Sequence, residues 1–158
     1  MTKLQVIPFF LLVLLVFGCS GPVGPFSGGR LAGDTAPFPT TWDVAVEADH
    51  VQLETYDADG DAHSVNIWCV VHMDRLFFTT SLVRGEEQPD KRRWVQNALA
   101  NPAARLKVDT YIFEGIISKV EDAEFLSNVK NAFVLKYDEE NDERARDAWV
   151  FEFAKPQT

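Results

Sequence analysis

Short segments in which apolar and polar side chains alternate constrain the fold of this chain most strongly. Residues 50–56 alternate in this way, and a cluster of turn-forming residues at 57–61 separates them from a second alternating segment at 64–72. Successive side chains of a β-strand point to opposite faces, so the pattern predicts two strands joined by a tight turn. A turn at Met73-Asp74 then leads to a third predicted strand, residues 75–80, rich in aromatic and β-branched side chains.

Helical spacing replaces this alternation in two later segments. Pro89 suits a first helical turn, apolar residues over 94–99 recur at helical intervals, and Asn101-Pro102 predicts the end of that helix. Apolar residues at helical intervals predict a second amphipathic helix over 122–137. The other segments are predicted as strands at 104–109, 111–120 and 148–153, and as a solvated acidic loop at 138–147.

Six predicted strands, two short helices and no repeated unit indicate a mainly β (α+β) domain. Such a set of elements is typical of a small antiparallel barrel. On the second strand, Val65, Ile67, Cys69 and Val71 share one face. Asn66 and Trp68 share the other face, so a polar side chain and an aromatic side chain are predicted side by side on that surface.

The N-terminus has the features of an export signal. Lys3 precedes an apolar stretch, residues 6–17, that is interrupted only by Pro8. A membrane-spanning helix needs about 20 apolar residues, whereas the core of a secretory signal needs about 7 to 15. Residues 1–18 are therefore predicted to be a signal peptide.

The apolar stretch ends in Val16-Phe17-Gly18-Cys19, which resembles the lipobox of bacterial lipoproteins. The resemblance implies cleavage before Cys19, lipid on that cysteine, and anchoring of the mature chain to a membrane. Ser20, in place of an aspartate, implies by the same resemblance the outer membrane of a Gram-negative envelope, facing the periplasm. An ordinary signal peptide with a chance cysteine and an uncleaved anchor are the alternatives.

Small residues, glycine and proline dominate the segment after the cysteine. Such a composition buries little apolar surface and favours a flexible chain. Residues 19–39 are therefore predicted to be a lipidated cysteine followed by a flexible tether, and residues 40–158 to be the folded domain. Because Cys19 would carry lipid, Cys69 has no partner for an internal disulfide and is expected to be a small buried hydrophobe.

The formal net charge of −9 argues against nucleic acid as a partner, because a phosphate backbone would be repelled. An anionic ligand would need a local basic cluster, and residues 91–93 supply one. No metal site is expected, since the three histidines lack metal-ligand spacing. The calcium-type pattern at 57–61 fails because Gly60 comes too early and Trp68 replaces the bidentate glutamate.

Four stretches are similar to a known family: S-V-N-I-W-C-V at 64–70, R-L-F-F-T-T at 75–80, K-R-R-W-V-Q-N-A-L-A-N-P at 91–102, and R-L-K-V-D-T-Y-I-F-E-G at 105–115. Together they resemble the FMN-binding split barrel of the pyridoxamine phosphate oxidase-like superfamily. The resemblance implies a six-stranded antiparallel Greek-key barrel with two short helices. It also implies a homodimer that holds a flavin, a deazaflavin or a haem-related ligand between its subunits.

The same resemblance implies roles for six residues. Thr79 and Thr80 would lie at the phosphate end of the cofactor groove, and Lys91 and Arg92 would neutralise the phosphate. Asn66 and Trp68 would lie along the ring system. A helix start does favour an anion, because its N–H groups lack intrahelical partners. The structural alternatives are a solvated basic helix face, ordinary strand threonines, and tryptophan in the core or at a dimer interface.

Two functions follow as hypotheses from different classes. The first is a ligand-binding or redox protein with FMN as cofactor, in which the flavin does the electron chemistry, so the sequence names no catalytic residue. The second is a non-enzymatic, dimeric interaction module of the cell envelope without a cofactor. A chain exported unfolded leaves cytoplasmic flavin behind, and the N-terminus has no twin arginine to indicate folded export.

Overall fold

The computed structural model describes residues 21–80, 89–137 and 148–156, so Cys19, the predicted signal peptide and the acidic run lie outside the described residues. The strands are β1 (Asp34–Thr35), β2 (His50–Tyr56), β3 (Ala62–His72), β4 (Arg75–Thr79), β5 (Ala103–Val108), β6 (Tyr111–Lys119) and β7 (Val150–Ala154). The α-helices are α1 (Asp43–Val46), α2 (Arg93–Ala100) and α3 (Ala123–Tyr137), with a short 3₁₀ helix at Pro89–Lys91. None of the helices in these three ranges is both long and apolar enough to span a bilayer.

Six strands close into an antiparallel barrel in the order β2, β3, β4, β7, β6, β5, with β5 pairing back to β2. Three hairpin-connected strands, β2 to β4, are followed by a long connection that returns β5 to the side of β2, which is a Greek key. The predicted fold class is therefore confirmed. The short β1, parallel to β6, and the four-residue α1 were not predicted, because neither is long enough to show a period.

Both faces of β3 contribute apolar side chains to buried clusters. Its inner face contributes Ile67 and Cys69 to the barrel core, with Val65 and Val71 partly buried beside them. Its outer face contributes Val70 to a second cluster under α3, where Val129 and Phe133 are buried. The amphipathic helix predicted over residues 122–137 is thus confirmed, and it packs on the outside of the barrel.

Tight contacts close the barrel at two points. Met73 and Asp74 have φ angles of 52° and 58°, the left-handed pair that a two-residue hairpin between β3 and β4 requires. Gly115 on β6 lies against Phe153 of β7, where an added Cβ would be 2.5 Å from the ring. A side chain at position 115 would therefore push β6 and β7 apart at the seam.

Residues 21–39 lie on the barrel, which corrects the prediction of a flexible tether there and of a domain that begins near residue 40. Gly28 and Ser64 exchange backbone hydrogen bonds of 2.9 Å, and Leu31 is 3% exposed. Small residues, read from composition as a sign of flexibility, here permit close packing. A Cβ on Gly28 would lie 2.3 Å from the carbonyl carbon of Gly21.

A buried ion pair fastens this N-terminal segment to the barrel wall. Glu54 is fully buried, and the Nη1 atom of Arg105 lies 3.1 Å from both of its carboxylate oxygens. The Leu31 N–H and the Tyr56 hydroxyl also donate to Glu54. Since a buried charge is costly unless it is paired and hydrogen-bonded, the Glu54 carboxylate depends on all these partners.

Candidate functional site

A pocket of about 490 Å³ lies where the N-terminal segment meets β3 beside the start of α2. Its walls are residues 24–27, residues 63 and 65–68 of β3, Thr79 at the end of β4, and residues 92–94. This volume is within the range of roughly 300 to 1,000 Å³ usual for small-molecule sites. The pocket is therefore large enough for a ligand of cofactor size.

Four of the six residues predicted to form the cofactor site line this pocket: Asn66, Trp68, Thr79 and Arg92. Asn66 and Trp68 are two positions apart on β3 and share a face. In the antiparallel register Cys69 pairs with Phe78, which brings Thr79 beside Trp68. Arg92 joins them because it directly precedes α2. The barrel thus brings together side chains from three separate segments of the chain.

The other two predicted residues, Thr80 and Lys91, lie outside the pocket. Thr80 is 1% exposed, and its hydroxyl accepts a 2.8 Å hydrogen bond from the Trp149 N–H. Thr80 follows the last residue of β4, and its buried hydroxyl is directed to Trp149 and not to the pocket that Thr79 lines. The Lys91 side chain is mainly exposed, and its Nζ lies 3.5 Å from a carboxylate oxygen of Asp90.

One face of the Trp68 ring is already occupied by the protein. The ring stacks on Tyr137 of α3, with centroids 4.9 Å apart and planes within 10°. The Tyr137 hydroxyl in turn accepts a 3.2 Å hydrogen bond from the Cys69 N–H. Trp68 therefore joins α3 to the barrel as well as lining the pocket.

Asn66 presents the pocket wall with an unused hydrogen-bond acceptor. Its Nδ2 donates to the Gly24 carbonyl at 2.8 Å, which holds the turn at residues 24–27 against β3. Its Oδ1 is buried and has no hydrogen-bond partner among the described residues. Buried acceptors are nearly always satisfied, because an unmade bond costs about 1 to 3 kcal/mol. An N–H or O–H group of a ligand could satisfy it.

The pocket is locally cationic although the chain is acidic. Arg92 and Arg93 both line it, and the Arg93 guanidinium also donates to Asp57 at 2.9 Å. The backbone N–H of Asp61, and then Arg93, lower the pKa of Asp57. Burial, and then the Arg93 charge, lower the pKa of His63, which favours its neutral imidazole. The site therefore suits an anionic group.

Two parts of the pocket lining were not predicted from the sequence. Residues 24–27 were assigned to the tether, and His63 was considered only as a metal ligand. Alternation gave no signal for His63, because it lies three positions from Asn66 on β3 and a period of two places such residues on opposite faces. Within the three described ranges, no group of three His, Cys, Asp or Glu side chains could hold a metal ion.

No protein-family model matches the sequence, and no curated protein matches it. Solved structures do match the fold. HutZ from Vibrio cholerae, a haem storage protein, is 21% identical, with a TM-score of 0.56 over 71% of this chain and 84% of that chain. An F420 reductase is 18% identical, with a TM-score of 0.53 over 76% of this chain and 96% of that chain.

A third structure, a Listeria innocua protein provisionally described as a pyridoxamine 5′-phosphate oxidase, is 11% identical. Its TM-score is 0.55 over 73% of this chain and 90% of that chain. Identities this low establish the fold alone. Together with the closed six-stranded Greek key, these matches show that the chain has the split-barrel fold of pyridoxamine 5′-phosphate oxidase-like proteins.

Proposed function

We propose that this chain is a ligand-binding protein of the cell envelope that holds a flavin, FMN in the first instance, in the pocket described above. The proposal rests on three groups that line the same pocket: the Arg92 guanidinium, the Thr79 hydroxyl and the unpaired Oδ1 acceptor of Asn66. FMN offers complementary groups, because it has a phosphate and a ring N–H.

The residues present fit this cofactor in part. Arg92 and Thr79 would hold the phosphate through charge-assisted and neutral hydrogen bonds, and the Asn66 Oδ1 would accept from the ring N–H. Trp68 would supply an apolar edge, since one ring face is stacked on Tyr137. A bound flavin supplies reversible electron transfer, whereas the protein supplies position and electrostatics. An oxidoreductase role is proposed on that basis.

The proposal is tested by the visible spectrum of the protein purified from its native envelope, followed by titration of the purified protein with FMN. A flavin spectrum, or saturable FMN binding at micromolar concentration, is the expected result. The spectrum also separates the alternatives, because deazaflavin and haem absorb differently. No chromophore combined with no FMN binding would refute the flavin proposal.

Arg92 and Lys91 provide a matched pair of variants. Arg92→Ala should weaken FMN binding about tenfold to hundredfold, because a hydrogen bond to a charged group contributes about 1.5 to 3 kcal/mol. Lys91→Ala should leave the affinity nearly unchanged, since Lys91 lies outside the pocket. Fluorescence titration measures both dissociation constants. Equal losses of FMN affinity in the two variants would contradict the proposal that FMN binds in this pocket.

We further propose that lipid on Cys19 anchors the mature chain to the outer membrane on its periplasmic side. The support is the lipobox-like sequence at residues 16–19. Wild-type protein should sediment with membranes, and Cys19→Ser should lose lipid labelling and its processing by the lipoprotein pathway. Metabolic labelling with a radioactive fatty acid checks this directly. Labelling of the Cys19→Ser protein at the wild-type level would contradict the anchor.

The second candidate is a dimeric interaction module without a cofactor. It is favoured by the placement of Thr80 and Lys91, two expected phosphate contacts, outside the pocket. Both candidates include a homodimer, so light scattering tests the pairing but does not separate them. The envelope-purified spectrum does separate them, because a stoichiometric cofactor excludes the interaction module.

A further inference from the structure

Two apolar side chains project from the turn that forms one wall of the pocket. Val23 and Phe26 exchange backbone hydrogen bonds of 3.1 Å in both directions, with Gly24 at φ 56° between them. Their side chains are nevertheless 70% and 74% exposed. The turn is therefore held by the backbone, and its two large apolar side chains face outward.

This turn is close in sequence to Cys19. Val23 comes four residues after the cysteine, and an extended chain spans at most about 3.6 Å per residue, so the two Cα atoms are within roughly 14 Å. The segment that follows is fastened to the barrel through Gly28 and Leu31. A lipid on Cys19 would therefore hold the domain close to the bilayer, without the long tether that composition predicted.

We propose that Val23 and Phe26 insert into the interfacial region of the phospholipid bilayer, so that the pocket wall formed by residues 24–27 lies at the membrane surface. The inference rests on the proposed lipid anchor at Cys19. Exposed apolar side chains beside a lipidated residue would add apolar area buried at the interface and fix the orientation of the domain there. Molecules that enter the pocket would then come from the membrane interface.

Met73 provides a matched reference position. It is 72% exposed, nearly as much as Phe26, and it too lies on a tight turn. It follows Asn66 by seven positions along β3, roughly 23 Å at 3.3 Å per residue, whereas the Asn66 side chain contacts Gly24. A membrane that contacts the turn at residues 23–26 should therefore be distant from Met73.

The test uses full-length lipoprotein carrying Phe26→Cys or Met73→Cys, each labelled with the same small fluorophore. Burial raises the pKa of the Cys69 thiol to about 11, so the label reacts with the introduced cysteine. Both proteins are reconstituted into phosphatidylethanolamine and phosphatidylglycerol vesicles with brominated acyl chains. The label at position 26 should lose most of its fluorescence, and the label at position 73 should retain it.

Equal fluorescence at the two positions in protein that floats with the vesicles would overturn the proposed orientation and leave the anchor intact. Failure of the labelled proteins to float with the vesicles would instead overturn the anchor, and the orientation with it. Neither result depends on FMN, so the flavin proposal is judged separately. Thermal unfolding of both labelled variants confirms that the substitutions, made at exposed positions, leave the fold intact.

Discussion

Replacing Glu54 by alanine is expected to lower the free energy of unfolding by about 3 to 5 kcal/mol, because it breaks a buried ion pair from one side. The Arg105 guanidinium, with an 11% exposed side chain, would lose its 3.1 Å partner. The Leu31 N–H and the Tyr56 hydroxyl would lose their acceptor as well. The midpoint of urea unfolding, with the slope held constant, measures this loss.

Glu114→Ala is the matched control for this variant. Glu114 also faces Arg105, at 4.0 Å, but its side chain is 68% exposed, so the same substitution should cost less than about 1 kcal/mol. Burial, together with Glu54, raises the pKa of Tyr56 to about 12, and Glu54→Ala should lower it. Similar decreases in the free energy of unfolding of the two alanine variants would show that burial does not strengthen the Glu54–Arg105 ion pair.

Phe153→Ala should destabilise the protein by a similar amount, about 3 to 5 kcal/mol, because it leaves a cavity at the barrel seam. Phe153 is 1% exposed and its ring packs on Phe38, Trp42 and Phe78. Its strand, β7, pairs with both β4 and β6, so it completes the barrel. Thermal unfolding should show a lower midpoint and a less cooperative transition.

Phe26→Ala controls for the substitution itself. Phe26 is 74% exposed, so the loss of its ring from protein in detergent-free solution should change stability by less than about 0.5 kcal/mol. The comparison isolates burial, because the chemical change is identical. A Phe153→Ala protein as stable as Phe26→Ala would mean that the seam collapses around the smaller side chain without cost.

The strands β2 to β7 and the helices α2 and α3 were predictable from local features: a period of two or about 3.6, β-favouring side chains, and flanking turn residues. Their bounds differ from the prediction by only a few residues, as in β3, predicted over 64–72 and observed as Ala62–His72. The register that brings Thr79 beside Trp68 follows from the hairpin at Met73-Asp74. These features depend on residues close together in sequence, so local pattern is sufficient.

The pocket was predictable only in part. Asn66, Trp68, Thr79 and Arg92 line one pocket, whereas the Thr80 hydroxyl bonds to Trp149 and Lys91 is exposed beside Asp90. The pocket wall formed by residues 24–27 was missed because this segment has no amphipathic period and buries little of its own surface. Its position depends on the bond from Asn66 to Gly24, made across 42 residues.

By itself, then, the sequence determined the mainly β barrel and the face of β3 that carries Asn66 and Trp68, because alternation and turn chemistry are local properties. Only the tertiary structure decided that residues 21–39 belong to the folded unit, and which threonine and which cation reach the pocket. Those outcomes depend on long-range partners, such as Glu54 with Leu31 and Ser64 with Gly28. The local sequence around one residue of such a contact does not reveal which distant residue it contacts.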